Sequence, residues 1–167
     1  MRKERRMIMN TKTYTTLPQE AKDIRIEVFV KEQGFENEFD EIDTISHHIV
    51  AFDERKPIGT CRFFKENDHY TIGRVAVLKE YRNQHMGNLL LESAENEIKK
   101  LNGDLIVVHA QVRIHPFYEK QDYIQFGQID DDEGVPHMWM KKKDTVLSYC
   151  IQNILHLFCE SLCLFNR

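Results

Sequence analysis

The sequence predicts an α/β fold of the mixed kind, in which one central sheet of six to seven strands is flanked by helices. Three observations carry this expectation. A strand over residues 69–77, a helix with a regular apolar stripe over 86–101 and a nearly continuous apolar run over 104–110 follow one another at the spacing of a right-handed βαβ unit with parallel strands. Ahead of that unit, strand candidates over 47–53, 57–65 and 69–77 are separated by turns of about three residues, which implies an antiparallel meander. Beyond it, strand candidates over 123–129 and 136–142 flank the acidic stretch 130–134.

Taken in order, residues 8–15 form a first strand candidate, with Tyr14 its best β-former. Pro18 follows, a residue tolerated in a first helical turn. Ala21, Ile24, Val28 and Phe29 then recur at helical spacing over 19–33, and Gly34 supplies a stop. Residues 35–44 are acidic and irregular, anchored by Phe35, Phe39 and Ile42; they suit a short second helix or a loop over a cleft. Gly73 lies inside the third strand of the meander, where glycine often marks a bulge. The helix over 86–101 places Met86, Leu90, Ala94, Ile98 and Leu101 on one side, and Asn102-Gly103 ends it. The run 104–110 suits a strand buried on both faces, and residues 116–121 suffice for a short helix.

These segments make one domain over 9–143, preceded by a basic leader at 1–8 that is expected to be disordered. The last 24 residues, 144–167, carry apolar pairs every four residues, the pattern of an amphipathic helix. Asp144 and Glu160 leave too short an uncharged run for the roughly 20 residues a membrane span needs. Packing on its own domain or on a second copy, in a homodimer, is the expected role of this helix.

At 167 residues with 41% hydrophobic and 30% charged content, the chain is expected to be a soluble protein with a substantial core. A net charge of −4 without a dominant basic face argues against nucleic acid as a partner. Four cysteines without zinc-like spacing, three of them in the last 18 residues, suggest neither a metal site nor a disulfide framework. A reducing cytoplasm is the expected location. No GxxxxGK[ST] and no GxGxxG after a strand is present, which disfavours a nucleotide-binding enzyme.

Chemistry concentrates in residues 73–101. A helix entered directly from a strand presents unpaired N–H groups and the positive end of its dipole, and phosphate is the usual occupant of such a start. The string Arg74-Val75-Ala76-Val77, followed by Arg82-Asn83-Gln84-His85-Met86-Gly87, resembles the cofactor motif of the GNAT N-acetyltransferase superfamily, Arg/Gln-x-x-Gly-x-Gly/Ala. Arg82 and Gly87 match, and His85 stands where the first glycine is expected. Residues 116–123, reading PFYEKQDY, resemble the family's Phe/Leu-Tyr-Glu-Lys-x-Gly-Phe, with Asp122 in place of the glycine. Residues 27–34, the pair His47-His48, and Gly134-Val135-Pro136-His137 are similar to the ElaA-like and YjcF-like branch. Residues 10–142 show these features in the family's order.

The resemblance implies a strongly twisted sheet and an acetyl-CoA-dependent N-acetyltransferase that uses no metal. The acceptor would be a primary amine of a small molecule or peptide. It implies that Val75, Ala76 and Val77 receive the pantetheine arm at a bulge that Gly73 permits. Main-chain amides from Asn83 through Gln84, His85, Met86 and Gly87 to Asn88 would hold the pyrophosphate, with Arg82 adding charge and Phe117 and Lys120 nearby. Tyr118 matches the family's general acid; its reference pKa of about 10 exceeds the roughly 8.5 of a thiol, so it can protonate a leaving thiolate. Glu27, Glu32, His48 and His115 are candidate bases. His137 and Glu133 belong to the acceptor side, where the acidic stretch 130–133 suits a cationic amine. Cys61 is expected to be a small core residue. A non-catalytic acyl-CoA-binding module is the competing function, raised by the two missing glycines.

Overall fold

The computed structural model describes residues 9–143; the expected leader and the C-terminal amphipathic helix, with its dimer role, lie outside the described residues. Seven strands form one sheet: β1 (Met9–Tyr14), β2 (His47–Asp53), β3 (Lys56–Glu66), β4 (His69–Val77), β5 (Leu105–Gln111), β6 (Ile124–Asp132) and β7 (Val135–Lys143). Their order across the sheet is β1-β2-β3-β4-β5-β7-β6. Every neighbouring pair is antiparallel except β4 and β5, which the α-helix α2 (Met86–Lys100) connects as a parallel crossover.

Strand alternation divides the core between two faces. On one face Ile49, Ile58, Phe63, Ile72, Val108 and Met140 meet Leu90, Leu91, Ala94 and Ile98 of α2. Each of those helix side chains is at most 1% exposed, and burying a Leu or Ile completely is worth about 1.5–3 kcal/mol. On the opposite face Val50, Phe52 and Ala76 meet Ala21, Ile24 and Val28 of the first helix.

Several boundaries differ from expectation for identifiable reasons. The helix expected over 19–33 is an α-helix only over α1 (Gln19–Arg25) and continues as a π-helix over Ile26–Glu32. It closes with Gly34 at φ 81°, whose N–H reaches Val30 O at 3.0 Å. The stretch after it contains a short 3₁₀ helix, Glu41–Thr44, so the helical alternative holds there. Leu101, expected in the apolar stripe of α2, is 47% exposed because the helix has ended and the chain turns away through Asn102 at φ 60°. Gly103 is required by space: a Cβ there would lie 2.5 Å from Ile98 Cγ2 and 2.6 Å from the Tyr70 ring. The acidic loop expected over 130–134 is mostly strand. Asp130, Asp131 and Asp132 pair with His137, Pro136 and Val135, and the turn is only Glu133-Gly134. Both turn residues have positive φ, 49° and 81°, the requirement of a tight two-residue hairpin.

Candidate active site

The helix α2 begins without a protein cap. No side chain caps it, and its first turn holds no acidic residue. The N–H groups of Met86, Gly87 and Asn88 therefore face a cavity of about 680 Å³ that these three residues line together with Asn83, His85, Phe117 and Lys120. His85 adopts φ 61° and ψ 17°, left-handed backbone. This explains how histidine replaces the motif glycine: it accepts the conformation for which glycine is usually chosen. Asp122 does the same after the short helix α3 (His115–Glu119), with φ 64°.

A cleft opens between β4 and β5. The two strands pair over three residues only, Tyr70, Thr71 and Ile72 opposite Ile106, Val107 and Val108. Beyond that point β5 continues to pair with β7 as far as Gln111, while β4 stays with β3. The expected bulge lies here, but Gly73 does not make the left-handed turn. Between the pairs Arg62–Gly73 and Thr60–Ala76, β4 carries two residues against the single Cys61 of β3, and Arg74 takes φ 51°. The Arg74 guanidinium is held 3.2 Å from Glu38 and 3.4 Å from Asp40, contacts that offset the strain of that backbone.

A second cavity, of about 400 Å³, adjoins the same strand stretch. Val75, Val77, Arg82, Ile114 and Tyr118 line both spaces. Tyr118 is buried, and that burial, with Cys61 nearby, raises the pKa of its hydroxyl. It is protonated throughout the neutral range. Burial likewise pushes the Cys61 thiol up to about 12, leaving it a core side chain.

The remaining candidates separate clearly. Ala76 lines the smaller cavity only, and Gln84 spends its side-chain amide on Glu80 O at 2.9 Å. Arg82 sits in both walls, but its guanidinium forms a two-pronged pair with Glu32, each bond 2.6 Å. That pairing lowers the Glu32 pKa, so Glu32 lines the smaller cavity as a poor proton acceptor. Glu27, His48 and His115 line neither cavity. Glu27 pairs with Lys31 at 2.8 Å on the surface. His48 is buried against Asp43 O at 3.1 Å, and its desolvation lowers its pKa. His115 turns Nδ1 to Val112 O at 2.7 Å.

His137 and Glu133 do line the smaller cavity. Glu133 accepts N–H bonds from Glu36 (3.0 Å) and Asn37 (3.3 Å) and the Asn37 side-chain amide (2.9 Å). It thereby ties the β6–β7 turn to the segment after the first helix and closes that side of the cavity.

A buried ionic network underlies the same wall. Arg25, 1% exposed, binds Glu38 at 2.6 Å and Asp43 at 2.7 Å; Arg62 binds Asp40 at 2.6 Å and Asp43 at 2.8 Å. With Arg74 the three guanidiniums balance three carboxylates. Burial pushes Asp43 up, but the bonds from Arg25 and Arg62 outweigh it and bring its pKa to about 2. For Glu38 burial wins, and its pKa is raised. Sequence reading missed this network. The available signal was an arginine inside each of two apolar segments, Arg25 beside Ile24 and Arg62 between Cys61 and Phe63.

Among the described residues no group of three or more His, Cys, Asp or Glu side chains is placed to hold a metal ion. Nor is any helix there long and apolar enough to cross a membrane.

Known proteins are similar to this chain in sequence and in fold. The uncharacterized N-acetyltransferase YjcF of Bacillus subtilis (strain 168) is 34% identical over 122 residues, which cover 71% of this chain and 87% of that protein. An acyl-CoA N-acyltransferase from Pseudomonas aeruginosa has the same fold, with a TM-score of 0.72 at 22% identity over 82% of this chain and 99% of its own. Escherichia coli ElaA has a TM-score of 0.72 at 21% identity over 81% of this chain and 100% of its own. The profile of the acetyltransferase (GNAT) domain matches residues 14–144, a span that contains the splayed strands, the uncapped helix and Tyr118. The chain belongs to the GNAT acetyltransferase family.

Proposed function

We propose that the protein is an acetyl-CoA-dependent N-acetyltransferase that moves the acetyl group directly from acetyl-CoA to a primary amine of a small molecule or peptide. The observation that carries this reading is the pair of cavities meeting at one wall of Val75, Val77, Arg82, Ile114 and Tyr118. One cavity holds uncapped helix amides suited to a pyrophosphate; the other holds carboxylates and histidines suited to an amine. The donor set fits coenzyme A: unpaired N–H groups of Met86, Gly87 and Asn88 for phosphate oxygens, and no first-turn carboxylate to repel them.

In this reading the pantetheine arm extends along the unpaired edge of β4 beyond Ile72, as an added strand would. A backbone N–H at Val75 or Val77 polarises the thioester carbonyl and stabilises the developing oxyanion. Arg82 contributes less charge to the phosphates than its sequence position suggests, because Glu32 neutralises it. Tyr118, kept protonated by burial, gives its proton to the departing thiolate.

The test is thiol release from acetyl-CoA, followed with and without a panel of primary amines (lysine, cadaverine, glycinamide, spermidine and tyramine). Amine-dependent release with formation of the acetylated amine supports the proposal. Tight acetyl-CoA binding without turnover on any amine would make the protein an acyl-CoA-binding module instead.

A further inference from the structure

The acceptor cavity needs a group that can take a proton from the amine, and most of its charged side chains are already committed. Both oxygens of Glu32 are bonded to Arg82. Glu38 has one oxygen on Arg25 at 2.6 Å and the other on Arg74 at 3.2 Å. Both oxygens of Glu133 hold the segment at Glu36 and Asn37. His137 is different. It is 5% exposed, lines the cavity, and has Nδ1 2.8 Å from Val135 O.

A carbonyl oxygen can only accept, so Nδ1 carries the hydrogen of the neutral ring. Nε2 is then the unprotonated nitrogen with its lone pair available. The ring packs against that of His109, with centroids 4.8 Å apart, and His109 is anchored through Nε2 to Asp130 Oδ1 at 2.6 Å. Strand register places His137 opposite Gln111, at the end of β5 where β4 has already splayed away. The titratable or charged groups sharing this cavity near it are His109 on β5, Arg74 on β4, Glu38 in the segment before β2, Asp132 and Glu133 of the hairpin, and Tyr118.

We infer that His137 is the general base of the acetyl transfer, accepting the amine proton at Nε2. The assignment rests on the acetyltransferase reading above. The amine nitrogen attacks the thioester carbonyl carbon, so that a C–N bond forms as the C–S bond breaks. His137 Nε2 takes the proton the nitrogen sheds, Tyr118 Oη supplies one to the sulfur, and exchange with water resets both groups.

The experiment compares wild type, His137→Gln, His109→Gln and Asp132→Asn in the thiol-release assay, using cadaverine and glycinamide as amines. For His137→Gln, kcat should fall about a hundredfold or more, with acetyl-CoA affinity by calorimetry unchanged. The acidic limb of the kcat/KM profile assigned to the base should disappear. The loss should be larger for cadaverine, an alkylamine like lysine's with a pKa near ~10, than for glycinamide, whose α-amine lies nearer ~8 and is more often already deprotonated. His109→Gln should shift that limb without removing it, and Asp132→Asn should raise KM for the amine while keeping it. Retention of wild-type kcat and limb in His137→Gln would overturn the assignment, as would loss of the limb in Asp132→Asn or His109→Gln alone. Nitrogen-15 spectra of histidine-labelled wild type give a second readout independent of any variant's folding: a hydrogen on Nε2 of neutral His137 contradicts the proposal. Wild type that binds acetyl-CoA but releases no thiol with any amine removes the acetyl-transfer reading first, and the base with it.

Discussion

Substituting Gly87→Glu puts a carboxylate into the cavity where the pyrophosphate is expected, and the structure separates its effects on folding and on binding. A Cβ at Gly87 meets the Phe117 ring at 3.2 Å, so that ring must yield by a few tenths of an ångström. Against this, a first-turn glutamate favours the helix dipole by about 0.3–1 kcal/mol. The first turn of α2 has neither an acidic residue nor a side-chain cap, so no existing interaction is lost. Net stability should change by no more than about 1 kcal/mol. Binding should respond far more strongly. Two like charges about 4 Å apart repel by about 1 kcal/mol in water and about 4 kcal/mol at an effective dielectric of 20. That corresponds to a roughly fivefold to thousandfold loss of acetyl-CoA affinity for each phosphate charge facing the new carboxylate. Calorimetry with acetyl-CoA, beside thermal melting of the same sample, reads both quantities. Unchanged affinity in a folded variant would refute the placement of the pyrophosphate.

Other outcomes follow from the same geometry. Tyr118→Phe should lower kcat about a hundredfold while acetyl-CoA affinity stays as in wild type; unchanged turnover would remove the tyrosine as the acid. Gly103→Ala should cost about 1–3 kcal/mol, read as a lower melting temperature, because its Cβ would overlap Ile98 and Tyr70. Asp43 has a folded pKa of about 2, below its ordinary 3.8, so its contribution is present above that ordinary value and is lost as the pH falls through about 2. Linkage sets this contribution at about 2 kcal/mol. Glu38, raised by burial, acts in the opposite sense on acidification. Melting temperatures across this range should therefore fall more steeply for wild type than for Asp43→Asn, and identical slopes would contradict the network.

The fold was readable because its elements obey local rules. Strands β2 and β4 were expected at the bounds the structure shows, 47–53 and 69–77, since turn residues flank them. The crossover helix and the buried strand after it were legible from their apolar patterns. Less legible were features set by backbone conformation at residues that do not announce it. Arg74, His85 and Asp122 all take positive φ; nothing in an arginine predicts it, and for His85 and Asp122 the sign was their place where the motifs expect glycine. The Glu133-Gly134 hairpin turn was hidden in an acidic run whose first three members belong to β6. On the candidate site, the uncapped start of α2 was visible through its motif. His137 and Glu133 were named from the sequence and line the smaller cavity, but which of its side chains are already paired was not legible. Glu32 and Arg82 neutralise each other across 50 residues of sequence, and Glu38 belongs to a network that joins four separate segments.

The central claim is that acetyl-CoA lies along the splayed edge of β4 with its pyrophosphate on the start of α2. Amide NMR of the isotope-labelled protein during titration with acetyl-CoA tests it most directly. Saturable shifts should concentrate at Gly73–Val77 and at Asn83–Asn88, with the largest at Met86, Gly87 and Asn88. Shifts concentrated elsewhere on the sheet, or none at saturating acetyl-CoA, would contradict the account.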